Sequence, residues 1–266
     1  MYDNALLWLL LCGHLIGDFY LQPQVLVERK NRKWFFLLLQ GSIYALAVLA
    51  MVLPVMGGRV FIAFLLIFAS HLLIDFLKGR LSLSKGKFGI LKKNMFVVDQ
   101  TIHVIIVAAA AQLCAAGGQI PLNAYGNALV DVYDGLLVKL SPVELLRYIF
   151  VFLLIGKPSN ILIREINKKG NIKKPDSTDG LIAGELKQNP SEYQNAGKII
   201  GILERILIVV MVLLKQYAAI GLVFTAKSIT RYDKISKEPS FAEYYLVGTL
   251  LSVTVALLGG LLLLRG

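Results

Sequence analysis

The stretch VFIAFLLIFASHLLIDF, from Val60 to Phe76, decides the fold of this chain. Only a serine, a histidine and an aspartate interrupt its apolar residues, and its length approaches the roughly 20 apolar residues that cross a bilayer core. A run of this kind is typical of a transmembrane helix. A second run, WFFLLLQGSIYALAVLAMVLPVM, begins at Trp34 and has the same character. The sequence therefore predicts a protein that crosses a membrane several times.

The composition of the whole chain also favours a membrane protein. Hydrophobic residues make up 56% of the 266 residues and charged residues 17%, against about 45–50% and about 25% in soluble domains. The formal net charge of +11 would also suit a nucleic-acid-binding protein. The basic residues lie between the apolar runs, however, and do not form a binding stripe. We therefore expect membrane lipids as partners and no nucleic acid.

Eight apolar segments are predicted to span the membrane, which makes the fold an all-α, polytopic transmembrane helix bundle. The predicted spans are 4–21, 34–56, 59–77, 96–116, 143–163, 197–214, 217–231 and 242–264. Only Lys215 and Gln216 separate the sixth span from the seventh. Seven spans with one broken helix are therefore the alternative.

The predicted spans form two groups. Residues 1–116 contain four spans with the histidine and aspartate motifs, and residues 117–142 form a predicted extracytoplasmic loop. Residues 143–266 contain the other four spans, with a long polar segment at 164–196 that we predict to be a cytoplasmic loop.

The charges between the spans alternate in the way that sets the orientation of a membrane protein. Lys and Arg are frequent in 28–33, 78–93, 164–198 and 227–243, and few in 57–59, 117–142 and 215–216. Because Lys and Arg concentrate in cytoplasmic loops, the basic segments, including those around Lys85 and Lys174, are predicted to face the cytoplasm. Both chain termini are then predicted to be extracytoplasmic.

All three histidines of the chain stand four residues from an aspartate. The motifs are HLIGDF at 14–19, HLLIDF at 71–76 and DQTIH at 99–103. With 17 acidic residues among 266, three pairings out of three are not expected by chance. Residues four apart share one face of a helix, so each pair presents an imidazole and a carboxylate together.

The order of residues is reversed in the third motif, and this motif lies on a span of reversed direction. The first and third predicted spans run toward the cytoplasm and the fourth runs away from it. Asp18, Asp75 and Asp99 then form one layer near the cytoplasm, and the histidines form a second layer one helical turn deeper, roughly 5.4 Å. The spacing thus predicts a single site. The likeness of HLIGDF and HLLIDF also suggests that the first four spans are two repeated hairpins.

Ionisable residues inside a membrane normally face a bundle interior or a wet cavity, and three roles fit this set. Imidazole nitrogens and carboxylate oxygens suit a divalent metal ion such as Zn, Mn or Fe, with leftover aspartates orienting histidines. Hydrogen bonding between helices is one alternative, and a metal-free proton relay or ion path is another. We favour the metal, for which the predicted ligands are His14, Asp18, His71, Asp75, Asp99 and His103.

Further polar and basic residues are predicted to lie toward the cytoplasm. For the basic ones the alternative role is contact with lipid headgroups through long side chains. As clamps for a phosphate or another anionic group we predict Lys78, Lys157, Arg164, Arg205, Lys227 and Arg231. Their polar neighbours are Gln22, Gln100, Glu204 and Glu243.

The segments GHLIGDFYLQ, SHLLIDFLK and VDQTIH resemble the core motifs of a bacterial integral-membrane family known as domain of unknown function 3307. The resemblance implies a multi-pass protein of the bacterial cytoplasmic (inner) membrane, but no activity. A looser resemblance links the H-x-x-x-D helices to bacterial membrane-bound metal-dependent hydrolases, and implies that the same six His and Asp residues form a metal site. Gln40 departs from the pattern, since a further histidine is expected there in relatives, and this departure predicts weaker metal binding.

The leading hypothesis is an intramembrane, metal-dependent hydrolase that opens to the cytoplasm and acts on a lipid-like or anionic substrate. A metal ion would polarise an ester or phosphoryl oxygen and activate a bound water. Asp18, Asp75 or Asp99 would act as the general base. An ion- or proton-coupled membrane transporter and a structural or partner-binding membrane subunit are the alternatives.

Overall fold

The part of the chain that the structure describes is almost entirely helical. A computed structural model describes residues 5–22, 34–83, 89–135, 140–169 and 190–264. No β-strand occurs in these ranges. The predicted all-α class is therefore confirmed.

The first of two compact units covers residues 1–153. Helix α1 (Ala5–Leu15) continues through a π-helical turn (Ile16–Tyr20), and α2 (Trp34–Val52) ends in a short 3₁₀ turn (Leu53–Val55). They are followed by α3 (Gly58–Leu83), α4 (Gly89–Ala116), α5 (Ala124–Gly135) and α6 (Pro142–Ile155), whose last residues pass into the second unit.

Helices α1 to α4 form a four-helix bundle. Helix α1 packs against α2 and α4, and α3 packs against the same two helices, so the four close into a ring. Apolar side chains such as Leu10, Val52 and Val107 fill the interior. Large hydrophobic side chains, among them Phe61 and Ile105, are exposed on the outside, as expected for helices surrounded by lipid.

Several helices are suited to crossing a membrane. Among the described residues, five stretches are long and apolar enough: Trp34–Val55, Gly58–Leu81, Met95–Ala116, Pro142–Asn167 and Pro239–Leu264. The shorter apolar helices Ala5–Tyr20 and Tyr217–Ile229 coincide with the predicted first and seventh spans. These seven stretches correspond to seven of the eight predicted spans, and the sixth, 197–214, overlaps the helix Pro190–Leu213 without being among them. The structure supports a multi-pass membrane protein.

The second compact unit covers residues 154–266 and is organised around its last helix. Its helices are α7 (Lys157–Lys169), α8 (Pro190–Leu213), α9 (Tyr217–Ile229), α10 (Tyr232–Lys237) and α11 (Pro239–Leu264). Helix α11 packs against α7, α8 and α10, and α9 packs against α8. Lys215, between α8 and α9, has φ 57°, a left-handed conformation that interrupts the helix. A break therefore exists where both the eight-span and the seven-span predictions require one.

The boundary between the units differs from the predicted domain boundary in 117–142. The structure divides the chain after Leu153, because α6 packs on α1 in the first unit: the Trp8 and Phe150 rings lie 5.4 Å apart, and the Tyr20 hydroxyl donates to the Leu153 carbonyl at 2.8 Å. The segment 117–142, predicted as a loop, contains α5.

Both ends of the predicted cytoplasmic loop at 164–196 are helical, since α7 extends to Lys169 and α8 begins at Pro190. The basic segments 28–33, 84–88 and 170–189, with Lys85 and Lys174, lie outside the described residues. Their cytoplasmic location stays a prediction.

Candidate functional site

The three histidines meet inside the four-helix bundle. His14 lies on α1, His71 on α3 and His103 on α4, and all three are buried. The ring centroids of His14 and His103 are 5.6 Å apart, and those of His71 and His103 are 4.7 Å apart. The structure therefore gathers the histidines that the sequence spacing assigned to one site.

The aspartates lie beside the histidines of their own motifs. Asp75 Oδ2 is 3.6 Å from His71 Nε2, and Asp99 Oδ1 is 3.8 Å from His103 Nδ1. Both aspartates are buried, whereas Asp18 is half-buried. We call these six side chains, His14, Asp18, His71, Asp75, Asp99 and His103, the His/Asp cluster.

Helix α1 changes its winding where it enters the cluster. Asp18 lies in the π-helical turn Ile16–Tyr20, a rare geometry that is frequent at functional sites. Gly13 and Gly17 allow α1 to approach α2 closely. A Cβ atom on Gly13 would lie 2.9 Å from Val48 Cα, and one on Gly17 would lie 2.9 Å from Tyr44 Cδ2. The two glycines thus bring His14 and Asp18 against α2.

Two buried residues of α2, Gln40 and Tyr44, complete the site. Gln40 was named above only as a departure from the family pattern, and Tyr44 was not predicted. The Tyr44 ring stacks on His71, with centroids 3.8 Å apart and planes 2° from parallel. Gln40 Nε2 donates to Asp75 Oδ2 at 2.9 Å. A signal was present in the sequence: Gln40 and Tyr44 are polar residues four apart in an apolar run, the same spacing as in the histidine motifs.

The hydrogen bonds of Gln100 determine which ring nitrogen of His14 carries the hydrogen. Gln100 Nε2 donates to Asp18 Oδ2 at 2.6 Å, so its Oε1 faces His14 Nε2, at 3.3 Å. Because an amide oxygen only accepts, His14 Nε2 must donate. His14 Nδ1 then accepts from the Tyr44 hydroxyl at 3.3 Å. Both ring nitrogens of His14 are therefore engaged.

The other two histidines keep free nitrogens. His103 Nδ1 donates to the backbone carbonyl of Asp99 at 2.8 Å, which leaves its Nε2 as a bare acceptor. Five buried atoms of the cluster region have no hydrogen-bond partner among the described residues: His71 Nδ1, His71 Nε2, His103 Nε2, Asp99 Oδ1 and Gln40 Oε1. A neutral His71 supplies one hydrogen, so four of these five atoms are lone-pair acceptors without a donor.

Lys78 contacts the cluster through a side chain that is partly exposed. Its Nζ donates to Asp99 Oδ2 at 2.6 Å, with the lysine side chain 26% exposed and the aspartate side chain 5% exposed. Lys78 was predicted to clamp an anionic substrate. In the structure its charge is paired with a carboxylate of the cluster.

The cluster does not present a preformed metal cage. In the parts of the chain that the structure describes, no three His, Cys, Asp or Glu side chains converge closely enough to hold a metal ion. The six predicted ligands are gathered in one place, and their joint coordination of a metal stays a prediction.

Arg205, a predicted anion clamp, is buried in the second unit and binds groups of that unit. Its Nε donates to the Ile155 carbonyl at 2.5 Å, Nη2 donates to Asn160 Oδ1 at 2.7 Å, and Nη1 donates to Ser252 Oγ at 3.2 Å. The guanidinium therefore donates its hydrogen bonds to neighbouring helices.

The break between α6 and α7 explains why backbone acceptors are present here. The last carbonyls of a helix lack helical donors, and Pro158 has no N–H to offer the Leu154 carbonyl four residues earlier. Ser159 Oγ donates to the Leu154 carbonyl at 2.6 Å, and Arg205 donates to the next carbonyl, that of Ile155. Side chains thus replace the missing helical bonds, as membrane-embedded helix breaks require.

The remaining predicted residues are placed as follows. Lys227 Nζ donates to Glu204 Oε2 at 2.6 Å, and Arg164 Nε lies 4.0 Å from Glu165 Oε1. The other predicted residues of the second unit are exposed, namely Lys157, Arg231 and Glu243. In the first unit, the buried Nε2 of Gln22 has no hydrogen-bond partner among the described residues. Lys78 is the one predicted clamp whose residue number falls in the first unit.

The fold and the cluster define a class: a helical membrane protein whose bundle encloses a polar His/Asp site. Residues 6–124 match the model of a family described as Protein of unknown function (DUF3307). The match covers the bundle and every residue of the His/Asp cluster, and it supports the resemblance seen in the motifs. No curated protein and no solved structure matches the chain.

Proposed function

We propose that the His/Asp cluster binds one divalent metal ion and that the protein is an intramembrane, metal-dependent hydrolase. The observation that carries the proposal is the set of buried acceptors without donors around His71 and His103. Buried polar groups are normally hydrogen-bonded, and each one left unpaired costs about 1–3 kcal/mol.

A bound cation would correct this excess of acceptors over donors, because it accepts lone pairs and adds no acceptor of its own. Imidazole nitrogens together with carboxylate and amide oxygens suit Zn, Mn or Fe. His103 has the arrangement common in metal-binding histidines, because its Nδ1–H donates to a backbone carbonyl while its Nε2 is bare. The donor chemistry therefore fits a divalent metal.

The charges of the cluster favour one ion over two. Asp18, Asp75 and Asp99 contribute three negative charges, and Lys78, bound to Asp99, contributes one positive charge. With neutral histidines the sum is two negative charges, which one divalent ion balances. A second ion would leave excess positive charge in an apolar bundle, where uncompensated charge is costly.

Within this proposal the six residues have different roles. His71, His103 and Asp75 hold the ion, and Gln40 orients Asp75 through its amide. His14 orients its neighbours, since both of its ring nitrogens are already bonded.

Asp18 is the general base, because it is the most accessible of the three carboxylates and is held by the Gln100 amide. The metal, when bound, supplies polarisation of a carbonyl or phosphoryl oxygen and activation of water. The substrate class is an ester or phosphoryl group on a lipid-like or anionic molecule, since the cluster lies inside a bundle of membrane-type helices. Lys78 lies at its margin with part of its side chain exposed.

The test is metal analysis of protein purified in detergent without chelators, followed by hydrolysis assays with fluorogenic ester and phosphoester lipids. We expect about one divalent ion per chain, lost in His71→Ala and His103→Ala, with hydrolysis lost in parallel. Asp131→Asn, an exposed change on α5, is the control and should keep both. Metal-free natural protein would refute the metal site. Metal without hydrolysis of either lipid class would refute the hydrolase alone.

A proton- or ion-coupled transporter is the second candidate, and one observation favours it. Contacts run from partly exposed Lys78 through Asp99 and Gln100 to buried His14 and Tyr44. Such a series of polar groups can carry protons or ions inside a membrane. Proton flux into proteoliposomes by metal-free protein would favour this candidate over the hydrolase.

A further inference from the structure

Helix α5 lies at one end of the four-helix bundle, where a predicted span ends. Asn123 holds it there: its Nδ2 donates to the Leu53 carbonyl at 2.6 Å, and its backbone N–H donates to the Pro54 carbonyl at 3.0 Å. Asn123 Oδ1 also accepts from the Gly126 N–H at 2.8 Å, which caps the start of α5. The stretch Trp34–Val55, which is long and apolar enough to cross a membrane, ends at this turn, so α5 lies beside the end of a candidate span.

A glycine fixes the face that α5 turns toward the bundle. A Cβ atom at Gly126 would collide with the Pro54 carbonyl oxygen, so only glycine permits this close approach. Val130 and Tyr133, four and seven residues further on, share that face and are half-buried. The orientation of α5 about its own axis is therefore set by packing.

The two remaining faces of α5 differ in polarity. Tyr125, Leu129 and Val132 stand at positions i, i+4 and i+7 and are 51%, 43% and 66% exposed. The roughly opposite face, at 3.6 residues per turn, is polar and exposed. It carries Asn127, Asp131 and Asp134. Helix α5 thus has a protein-facing side, an exposed apolar stripe and an exposed polar side.

We infer that α5 lies in the plane of the membrane interface, with the stripe Tyr125–Leu129–Val132 on lipid and the polar face in water. This is the arrangement of an interfacial amphipathic helix. The stripe also continues the apolar surface of the bundle, since Leu53 is exposed on the turn against which α5 packs.

The size of the stripe indicates lipid and not a protein partner. A stable protein interface buries about 800 Å² on each partner. Three side chains on a helix of 12 residues fall short of this area. A tyrosine at the edge of the stripe is typical of side chains at the headgroup level.

The charge of α5 indicates which lipid it prefers. The helix contains Asp131 and Asp134 and no Lys or Arg. Negative charge is repelled by anionic headgroups, so a zwitterionic surface is preferred. This preference agrees with the predicted extracytoplasmic side of residues 117–142, and it is independent of any metal or hydrolase activity.

Spin labelling tests the orientation. Single cysteines at Leu129 and Val132, and at Asn127 and Asp131 as matched controls, are introduced into a Cys12→Ala/Cys114→Ser chain and labelled with a nitroxide. The proteins are then reconstituted in phosphatidylcholine vesicles. All four positions are exposed, so the labels should not disturb packing. Collision rates with oxygen, which concentrates in lipid, and with a water-soluble nickel complex are measured by electron paramagnetic resonance.

We expect labels at 129 and 132 to collide with oxygen several-fold more often than with the nickel complex, and labels at 127 and 131 to show the reverse. Adding anionic phosphatidylglycerol should move the 129 and 132 labels toward water. Equal accessibility at all four positions would overturn the proposal. So would labels at 129 and 132 that neither reagent reaches, because protein would then cover the stripe.

Discussion

Two buried polar sites within apolar helices can be compared, one in each unit. In the second unit, each side-chain nitrogen of Arg205 meets an acceptor of a broken helix or its neighbours. In the first unit, the region around His71 and His103 has four acceptors for which the described residues offer no donor. Intramembrane polar groups are costly in both places. We call the Arg205 site matched, because its donors meet acceptors, and the region around His71 and His103 unmatched, because the proposed metal ion would supply the partner that its acceptors lack.

The largest expected effect is at the unmatched site. His71→Ala and His103→Ala should each remove nearly all bound metal, and the double variant should lose little more than either single one. Ligands of one site act as a unit, so their effects are not additive. Metal analysis of the three proteins measures this. Partial losses that add in the double variant would mean that the histidines act separately.

At the matched site the expected effect is on folding. Arg205→Met should lower the free energy of unfolding by about 3 kcal/mol, because it leaves the Ile155 carbonyl and Asn160 Oδ1 buried and unpaired. Thermal unfolding in detergent, with the exposed Arg231→Met as control, measures the change. A loss of hydrolysis without a loss of stability would instead support the predicted role of Arg205 as an anion clamp.

A smaller effect is expected where an amide supports a ligand. Gln40→Leu removes the bond to Asp75 Oδ2, and loss of such a support typically weakens metal affinity about 10- to 100-fold. Metal titration against a competing chelator gives the affinity. Gln112→Leu, an exposed change on α4, is the control. Unchanged affinity would mean that the Gln40 amide does not support the site.

The smallest effect concerns the helix break. Ser159→Ala removes the donor to the Leu154 carbonyl, and polar contacts between membrane helices contribute about 0.6 kcal/mol on average, with a maximum near 1.7. Thermal unfolding should therefore shift slightly, and the exposed Ser228→Ala should not shift it at all. A large shift in thermal unfolding would mean that Ser159, and not Arg205, is the main stabilising residue at the break between α6 and α7.

Much of the fold and the meeting of the histidines could be predicted because both depend on local periodicity. Apolar length predicted the helices, and the four-residue spacing placed each imidazole with a carboxylate on one face. Because the predicted fourth span runs opposite to the first and third, the reversed order in DQTIH on α4 was predicted to bring Asp99 and His103 to the depths of the other pairs.

The parts that could not be predicted depend on tertiary contacts. The role of Arg205 depends on the helix break after Ile155, about fifty residues earlier in the chain, where the last carbonyls of α6 lack helical donors. The segment that forms α5 was predicted as a loop. Its short amphipathic helix is stabilised by contacts of Asn123 and Gly126 with the Pro54 turn, and the local sequence pattern does not reveal such contacts. Gln40 and Tyr44 had the required spacing, but neither type is a common metal ligand.

The most direct test of the central claim is the metal content of the triple variant Asp18→Asn/Asp75→Asn/Asp99→Asn beside the natural protein. Asparagine keeps the size and hydrogen bonding of aspartate but removes the negative charge that balances a divalent ion. Circular dichroism should show that both proteins are folded. The account predicts about one ion per chain in the natural protein and none in the triple variant. A triple variant that keeps its metal, or a natural protein that binds none, would contradict it.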